Sequence, residues 1–238
     1  MSHAAPWSPG PILALDTATA VAVVAFGEPD GTLLAETSWT AGHRHGEELL
    51  VRIERLLAEA GTGLPELGAI VVGTGPGAFT GLRVGLATAK GLAHGLGIPI
   101  VGVGTGVALL GALAGDATAP GRRFALLLPA GPSGRIVVDP EGRASLSTGD
   151  DGAGEDGAGL DPGWTAVAID LAGRADEDAL ARGAQAREGF ARSLLELGAA
   201  SLRAGRLADL ATLVPEYVSL PRGVRVESGE VAWSRDPR

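Results

Sequence analysis

The stretch AIVVGTGPGAFTGLRVG, residues 69–85, decides how the rest of this chain is interpreted. A β-branched run from Ala69 to Val72 is followed by a loop that contains three glycines and a proline within residues 73–77. An apolar segment then continues to about Leu96. Because glycine and proline mark the ends of regular elements and β-branched runs favour strands, the stretch predicts a strand, a tight loop and a long helix.

The glycine-rich loop has two interpretations. Backbone N–H groups at a helix N-terminus bind anions, which makes Gly75, Gly77 and Thr80 candidate phosphate-binding residues. Alternatively, the glycines allow the backbone to pack closely. Residues 73–78, GTGPGA, match the loose dinucleotide fingerprint, but the acidic residue that should follow about 20 positions later is missing. A P-loop lysine is also missing after Gly81, so the sequence leaves both interpretations open.

The predicted helix is apolar around more of its circumference than one core face requires. Its polar stripe is narrow: Arg83, Lys90 and His94. Small residues recur every four positions and line one ridge: Gly81, Gly85, Ala89 and Ala93. Such a helix either lies deep inside a domain, or covers the sheet with one side and meets a partner subunit with the other.

Two motifs in this region resemble a known family. Residues 75–85, GPGAFTGLRVG, and residues 87–93, ATAKGLA, closely resemble the signature of the TsaB family, also called YeaZ. That family is the dimerisation subunit of the bacterial machinery that makes threonylcarbamoyladenosine in tRNA. The good resemblance covers residues 12–114, and residues 213–218, LVPEYV, are similar to the closing Pro-x-Tyr motif of the family.

Composition limits the function classes. The chain has 238 residues, 45% of them hydrophobic, which is enough for one sizeable core or two small ones. The formal net charge of −9 argues against a chain that grips a phosphate backbone by itself. There is no cysteine, and no long apolar run or leader segment is evident, so we expect a cytoplasmic protein without membrane contact.

The first half of the chain predicts a ribonuclease H-like domain. Three strands, joined by tight turns, precede an alternation of helix and strand that ends in a small helix starting at Thr105, a candidate helix cap. The predicted strands are 12–17, 20–27, 32–39, 69–72 and 98–103. The order β-β-β-α-β-α-β-α is that of one half of the actin-like (ASKHA) superfamily, an α/β fold with a mixed five-stranded sheet.

The domain organisation follows from these patterns. We predict a flexible N-terminal extension at 1–11, the ribonuclease H-like domain with its partner-binding helices at 12–114, and a smaller, degenerate α/β domain at 115–238. Within the last domain, 149–163 is an acidic, glycine-rich surface loop. The helix that begins at Asp176 is predicted to break near Gly189.

No catalytic constellation is recognisable, and no metal site is predicted. His43 and His45 are two positions apart but have no third ligand nearby. Asp16 lies where the actin-like superfamily carries a phosphate-binding Asp-x-Gly-Thr hairpin, here Asp-Thr-Ala-Thr at 16–19. Asp16 is therefore a candidate metal or nucleotide residue, but the sequence favours the simpler interpretation, in which Asp16 hydrogen-bonds the turn after a buried strand.

The resemblance implies a non-catalytic scaffold that pairs with the TsaD threonylcarbamoyltransferase, on which the TsaE ATPase acts, to modify N6 of adenosine 37 in tRNAs reading ANN codons. It also implies tRNA contact only through that complex and a homodimer when the partner is missing. No intrinsic cofactor is expected, and ATP or ADP would bind at the surface shared with the partner.

A physical argument supports pairing through the two helices. Leucines left in water would forgo roughly 1.5–3 kcal/mol each. Together with the resemblance, this predicts the following partner interface: Leu50, Ile53, Leu57, Leu82, Arg83, Leu86 and Lys90. The competing hypotheses are a nucleotide-binding ATPase or kinase-like enzyme, suggested by the loop and Asp16, and a peptidase, for which no nucleophile is evident.

Overall fold

The structure is a computed structural model, and it describes residues 9–41, 45–114, 121–147, 160–218, 224–227 and 230–233. Its first half has the predicted element order: β1 Ile12–Asp16, β2 Val21–Gly27, β3 Leu33–Thr40, α1 His45–Glu59, β4 Ala69–Gly73, α2 Phe79–Leu96, β5 Ile100–Val103 and α3 Thr105–Gly111. The strands form a five-stranded sheet in the order β3-β2-β1-β4-β5. The predicted mixed sheet and ribonuclease H-like order are confirmed.

Strand directions determine where the loops of this sheet meet. β2 is antiparallel to β1 and to β3, whereas β4 is parallel to β1 and β5 is parallel to β4. Consequently the carboxyl ends of β1, β4 and β5 lie side by side at one edge of the sheet, where ligands of open α/β sheets bind.

The second half forms a smaller sheet and one long helix: β6 Arg123–Ala130, β7 Gly134–Val138, β8 Ala144–Ser147, β9 Trp164–Ala168 and α4 Glu177–Arg203. The strand order is β8-β7-β6-β9, with β6 parallel to β9. A hairpin of β10 Val224–Glu227 and β11 Glu230–Trp233 lies further along the chain. The sequence patterns did not predict β8 or this hairpin.

The predicted break in α4 is wrong, because the helix runs without interruption through Gly189. A Cβ at Gly189 would lie 3.0 Å from the Cβ of Ala112, just after α3. The glycine therefore allows α3 and α4 to approach closely, and packing outweighs its low helix propensity.

The first sheet is covered on both faces, and α4 supplies one of the covers. Along β1, Leu13 and Leu15 face one apolar cluster with α1 and α2, whereas Ile12 and Ala14 face another with α4. This second cluster continues into the inner face of the smaller sheet, through residues such as Leu126. The five-stranded sheet is built from strands before residue 114 and the four-stranded sheet from strands after it, and one apolar core joins the two.

Several predicted segments are only partly described. Most of the N-terminal extension, residues 1–8, and most of the acidic loop, residues 148–159, lie outside the described residues. At the end of the extension, Pro11 accepts a hydrogen bond from the N–H of Gly68 at 2.8 Å, which fixes the entry into β1. Within the described ranges, no helix is long and apolar enough to cross a membrane.

Candidate functional site

Three loops meet at the carboxyl edge of the first sheet. Asp16 ends β1, Gly73 ends β4, and Thr105 begins α3 shortly after β5. Because these three strands are parallel, the topology brings the residues together although 89 positions separate Asp16 from Thr105. This edge is the candidate functional site on the ground of topology alone.

The carboxylate of Asp16 is fully buried and is bound by groups of the chain itself. The N–H of Ala18 donates to Oδ1 at 2.8 Å, and the hydroxyl of Thr105 donates to Oδ2 at 2.6 Å. The same hydroxyl accepts the N–H of Gly75 at 3.0 Å. Burial raises the pKa of Asp16 above its ordinary value of 3.8, and the two hydrogen bonds offset this only in part. Asp16 thus joins the β1–β2 turn, the glycine-rich loop and α3.

The glycines of the loop pack against the β1–β2 turn. A Cβ at Gly73 would lie 1.7 Å from Oδ2 of Asp16, and one at Gly77 would lie 2.1 Å from the carbonyl oxygen of Ala18. The N–H of Ala78 donates to that same carbonyl at 2.7 Å. The loop and the turn are therefore in direct contact, which is what the packing interpretation of the glycines requires.

The N-terminal part of α2 continues this contact. The hydroxyl of Thr17 donates to the carbonyl oxygen of Gly81 at 2.6 Å, and a Cβ at Gly85 would lie 2.3 Å from Oγ1 of Thr17. The ridge of small residues thus faces β1 rather than a second subunit. Thr80 is exposed on the first turn of α2, and the structure does not bring it into the buried cluster around Asp16.

Several residues predicted at the partner interface are buried within this chain. Each of the following is at most 5% exposed: Ile53, Leu57, Leu82 and Leu86. The argument that leucines would otherwise lie in water is wrong for Leu57, Leu82 and Leu86, because α1 and α2 direct them onto the sheet and the glycine-rich loop. On α1, Leu50 is 47% exposed, and its neighbour Val51, which was not predicted, is 63% exposed.

The two basic residues of the predicted interface contact the C-terminal part of the chain. Lys90 Nζ donates to the carbonyl oxygen of Leu213 at 3.0 Å. Nε of Arg83 donates to the hydroxyl of Tyr217 at 3.1 Å, and its guanidinium lies 3.7 Å from the ring centre of Phe79. The signature stretch and the closing motif are therefore neighbours in space.

Sequence patterns missed the roles of Thr105 and Tyr217. Thr105 was expected to cap α3, but Gly104 occupies the cap position and the hydroxyl of Thr105 bonds to Asp16 instead. The available signal was its position, since a hydroxyl residue shortly after a parallel strand lies at the same edge as the end of β1. For Tyr217 the only signal was the resemblance of its motif.

A metal site is not visible in the part of the chain that the structure describes, where no three His, Cys, Asp or Glu residues are grouped as ligands. His43 and the side chain of His45, the pair considered from the sequence, lie outside it.

The raised pKa of Asp16 predicts an unusual dependence of stability on pH. Because the folded chain holds this proton more tightly than the unfolded chain, the stabilisation is fully present below pH 3.8 and is lost as pH rises through the folded-state pKa. Asp16→Asn keeps a neutral side chain at every pH. Its melting temperature relative to wild type should therefore rise between pH 4 and pH 8 in thermal unfolding.

Asp30→Asn is the matched control with the opposite sign. The hydrogen bond from the N–H of Thr32 lowers the pKa of exposed Asp30, so its carboxylate stabilises the fold above pH 3.8. The melting temperature of Asp30→Asn relative to wild type should therefore be lower by a nearly constant amount between pH 4 and pH 8, and the difference should shrink only as pH falls below 3.8. If the melting temperatures of Asp16→Asn and wild type instead change in parallel with pH, burial does not raise the pKa of Asp16.

Comparisons with known proteins identify relatives of part of this chain. A family model described as TsaD: tRNA N6-adenosine threonylcarbamoyltransferase matches residues 39–157. The Escherichia coli protein named tRNA threonylcarbamoyladenosine biosynthesis protein TsaB is 40% identical over 94 residues, which are 40% of this chain and 40% of that protein. An uncharacterized protein of Mycobacterium leprae is 48% identical over 95 residues, 39% of this chain and 26% of the other.

These matches have a limited extent, since the chain spans less than half the length of either relative. A solved structure covers more of the chain. The structure described as YeaZ from Pseudomonas aeruginosa superimposes with a TM-score of 0.65 at 24% identity, covering 87% of this chain and 99% of that one. This likeness establishes the fold that the two chains share.

Proposed function

Because this chain belongs to the TsaD family, described as tRNA N6-adenosine threonylcarbamoyltransferase, we propose that it acts in threonylcarbamoyladenosine biosynthesis as a TsaB-like, non-catalytic subunit. In this proposal the chain pairs with a TsaD-type transferase in the cytoplasm, and a TsaE-type ATPase acts on the assembly. Substrate tRNA meets the chain only within the complex, which agrees with its net charge of −9.

The observation that carries the non-catalytic role is the contact between the glycine-rich loop and the β1–β2 turn. A nucleotide-binding protein of this fold class needs space there for phosphate oxygens between glycine backbone and hairpin. In this chain Ala78 N–H donates to Ala18 at 2.7 Å, and the atoms around Gly77 leave no room even for a methyl group. The carboxylate of Asp16 is likewise bound by Ala18 and Thr105.

Nucleotide binding is proposed only for the surface shared with the partner. ATP or ADP would there be held by groups of both subunits. Titration of ATP with magnesium into the isolated chain should therefore give no binding heat, and micromolar binding with turnover would favour the kinase-like alternative.

The proposed pairing surface is the outer side of α1 and α2. Leu50, which is 47% exposed, and Val51, which is 63% exposed, lie there. Burial by a partner would add roughly half of the about 1.5–3 kcal/mol that full burial of such a side chain provides. The same surface is proposed to form a homodimer when the chain is alone.

The test is direct association with the TsaD-type protein encoded by the same genome. Sedimentation velocity of the mixed, purified proteins should show a complex of one copy of each at the expense of the homodimer. Two species that sediment independently at every concentration would contradict the proposed function.

A further inference from the structure

The segment after α4, residues 206–218, is here named the C-terminal strap. It runs along the outer edge of the first sheet, where the N–H of Ala208 donates to the carbonyl oxygen of Ile100 in edge strand β5 at 2.9 Å. Further on, the N–H of Glu216 donates to the carbonyl oxygen of Thr74 at 2.8 Å. The strap is therefore hydrogen bonded both to the sheet and to the glycine-rich loop.

The end of the strap fixes the side chain of Arg83. Tyr217 stacks on Phe79 with ring centres 5.0 Å apart, and its hydroxyl accepts Nε–H of Arg83 at 3.1 Å. The guanidinium also lies over the face of Phe79 at 3.7 Å, a favourable cation–π distance. Because a long side chain is held at two points, little rotamer entropy remains to be lost when the guanidinium binds something else.

The outward part of this guanidinium has no acidic partner among the described residues. Arg83 is exposed, and within those ranges no carboxylate oxygen lies within 4.0 Å of it. Nε is used by Tyr217, and no hydrogen bond joins the two terminal nitrogens to another of the described residues. They form the planar fork that binds a carboxylate or phosphate through two parallel hydrogen bonds.

The charge of the chain favours a carboxylate over a phosphate. Nucleic acid presents many phosphates at once, and the net charge of −9 repels such a polyanion. A single carboxylate in a protein interface interacts mainly with the positive charge of Arg83 beside it. Exposed Leu50 and Val51 on α1 lie on the same helical layer of the sheet, so an apolar protein surface with an acidic group suits this side.

We infer that Arg83, held by Phe79 and Tyr217, donates a two-pronged hydrogen bond to a carboxylate of the transferase subunit. Tyr217 is a positioning residue, and the strap links the closing motif of the chain to partner recognition. This inference rests on the proposed function, because the partner that carries the carboxylate is the one proposed above.

The test measures the dissociation constant of the complex for four variants by calorimetry, each checked for an unchanged melting temperature. Arg83→Gln should weaken binding at least about 10-fold, as expected for a desolvated charge pair that loses one partner. Arg83→Lys should also bind more weakly, because the fork is lost, and Tyr217→Phe should bind about 2–10-fold more weakly. Arg192→Gln removes an exposed arginine from α4, on the opposite face of the sheet, and should bind like wild type.

Salt dependence separates charge recognition from packing. Binding of Arg83→Gln should weaken less than that of wild type as salt increases, whereas Tyr217→Phe should keep the wild-type salt dependence. Wild-type affinity and salt dependence in Arg83→Gln would overturn the inference while leaving the proposed function intact. Unchanged partner affinity with weaker tRNA retention by the complex would instead assign the guanidinium to a phosphate and overturn it as well. If wild type itself fails to bind, the proposed function fails first.

Discussion

Replacing Gly73 with alanine is expected to lower the free energy of unfolding of the isolated chain by about 3–5 kcal/mol, or roughly 10 °C in melting temperature. The added Cβ would lie 1.7 Å from Oδ2 of Asp16, where nothing is exposed to solvent. The carboxylate would have to leave the hydroxyl of Thr105 or β4 would have to move. Either shift breaks the contact between the turn and the glycine-rich loop.

Gly91→Ala is the matched control, because a Cβ built at this exposed position of α2 has no heavy atom within 4 Å beyond its chain neighbours and the backbone of its own helix. It should raise the free energy of unfolding by about 0.5–1 kcal/mol, the usual gain of alanine over glycine inside a helix. Chemical denaturation of both variants and of wild type measures these changes in the free energy of unfolding. A Gly73→Ala protein as stable as wild type would mean that the edge has space, and the phosphate interpretation of the loop would gain support.

Replacing Leu50 with glutamate is expected to weaken binding of the transferase subunit at least about 30-fold, because burial of the leucine is lost and an unpaired charge enters the interface. The monomer should remain folded, since Leu50 is already 47% exposed. Calorimetric titration against the partner measures the loss.

Leu146→Glu provides the control for this substitution. Leu146 is also 47% exposed, but it lies on β8, the edge strand of the smaller sheet. A surface substitution away from the interface should change the dissociation constant by no more than about 2-fold. Equal losses in the two variants, or no loss in either, would remove α1 from the proposed pairing surface.

Local patterns were sufficient for the first sheet. β-Branched runs, turn residues such as those at 29–31, and the glycine-rich loop predicted β1 to β5 in the right order, and the resemblance to TsaB is confirmed by the Escherichia coli relative. The reason is that each strand and turn there is specified by residues close in the chain.

Contacts between residues far apart in the chain could not be predicted from local sequence patterns. Periodicity placed Leu57, Leu82 and Leu86 on apolar surfaces of the helices. It could not show that the sheet and the loop of the same chain already cover these side chains. The unbroken course of α4 through Gly189 depends on its contact with Ala112, and the hydroxyl of Thr105 acts on a strand 89 positions away. Such contacts depend on the topology, which a local pattern does not contain.

The most direct test of the proposed role is the transfer of threonylcarbamoyl from added threonylcarbamoyl-adenylate to tRNA by the purified transferase and ATPase of the same genome, with and without this chain. Modified nucleoside should accumulate with the wild-type chain, accumulate more slowly with Leu50→Glu, fail to accumulate without the chain, and never be formed by the chain alone. Full modification in its absence, or formation of the modified nucleoside by this chain without the transferase, would contradict a role as an essential non-catalytic subunit.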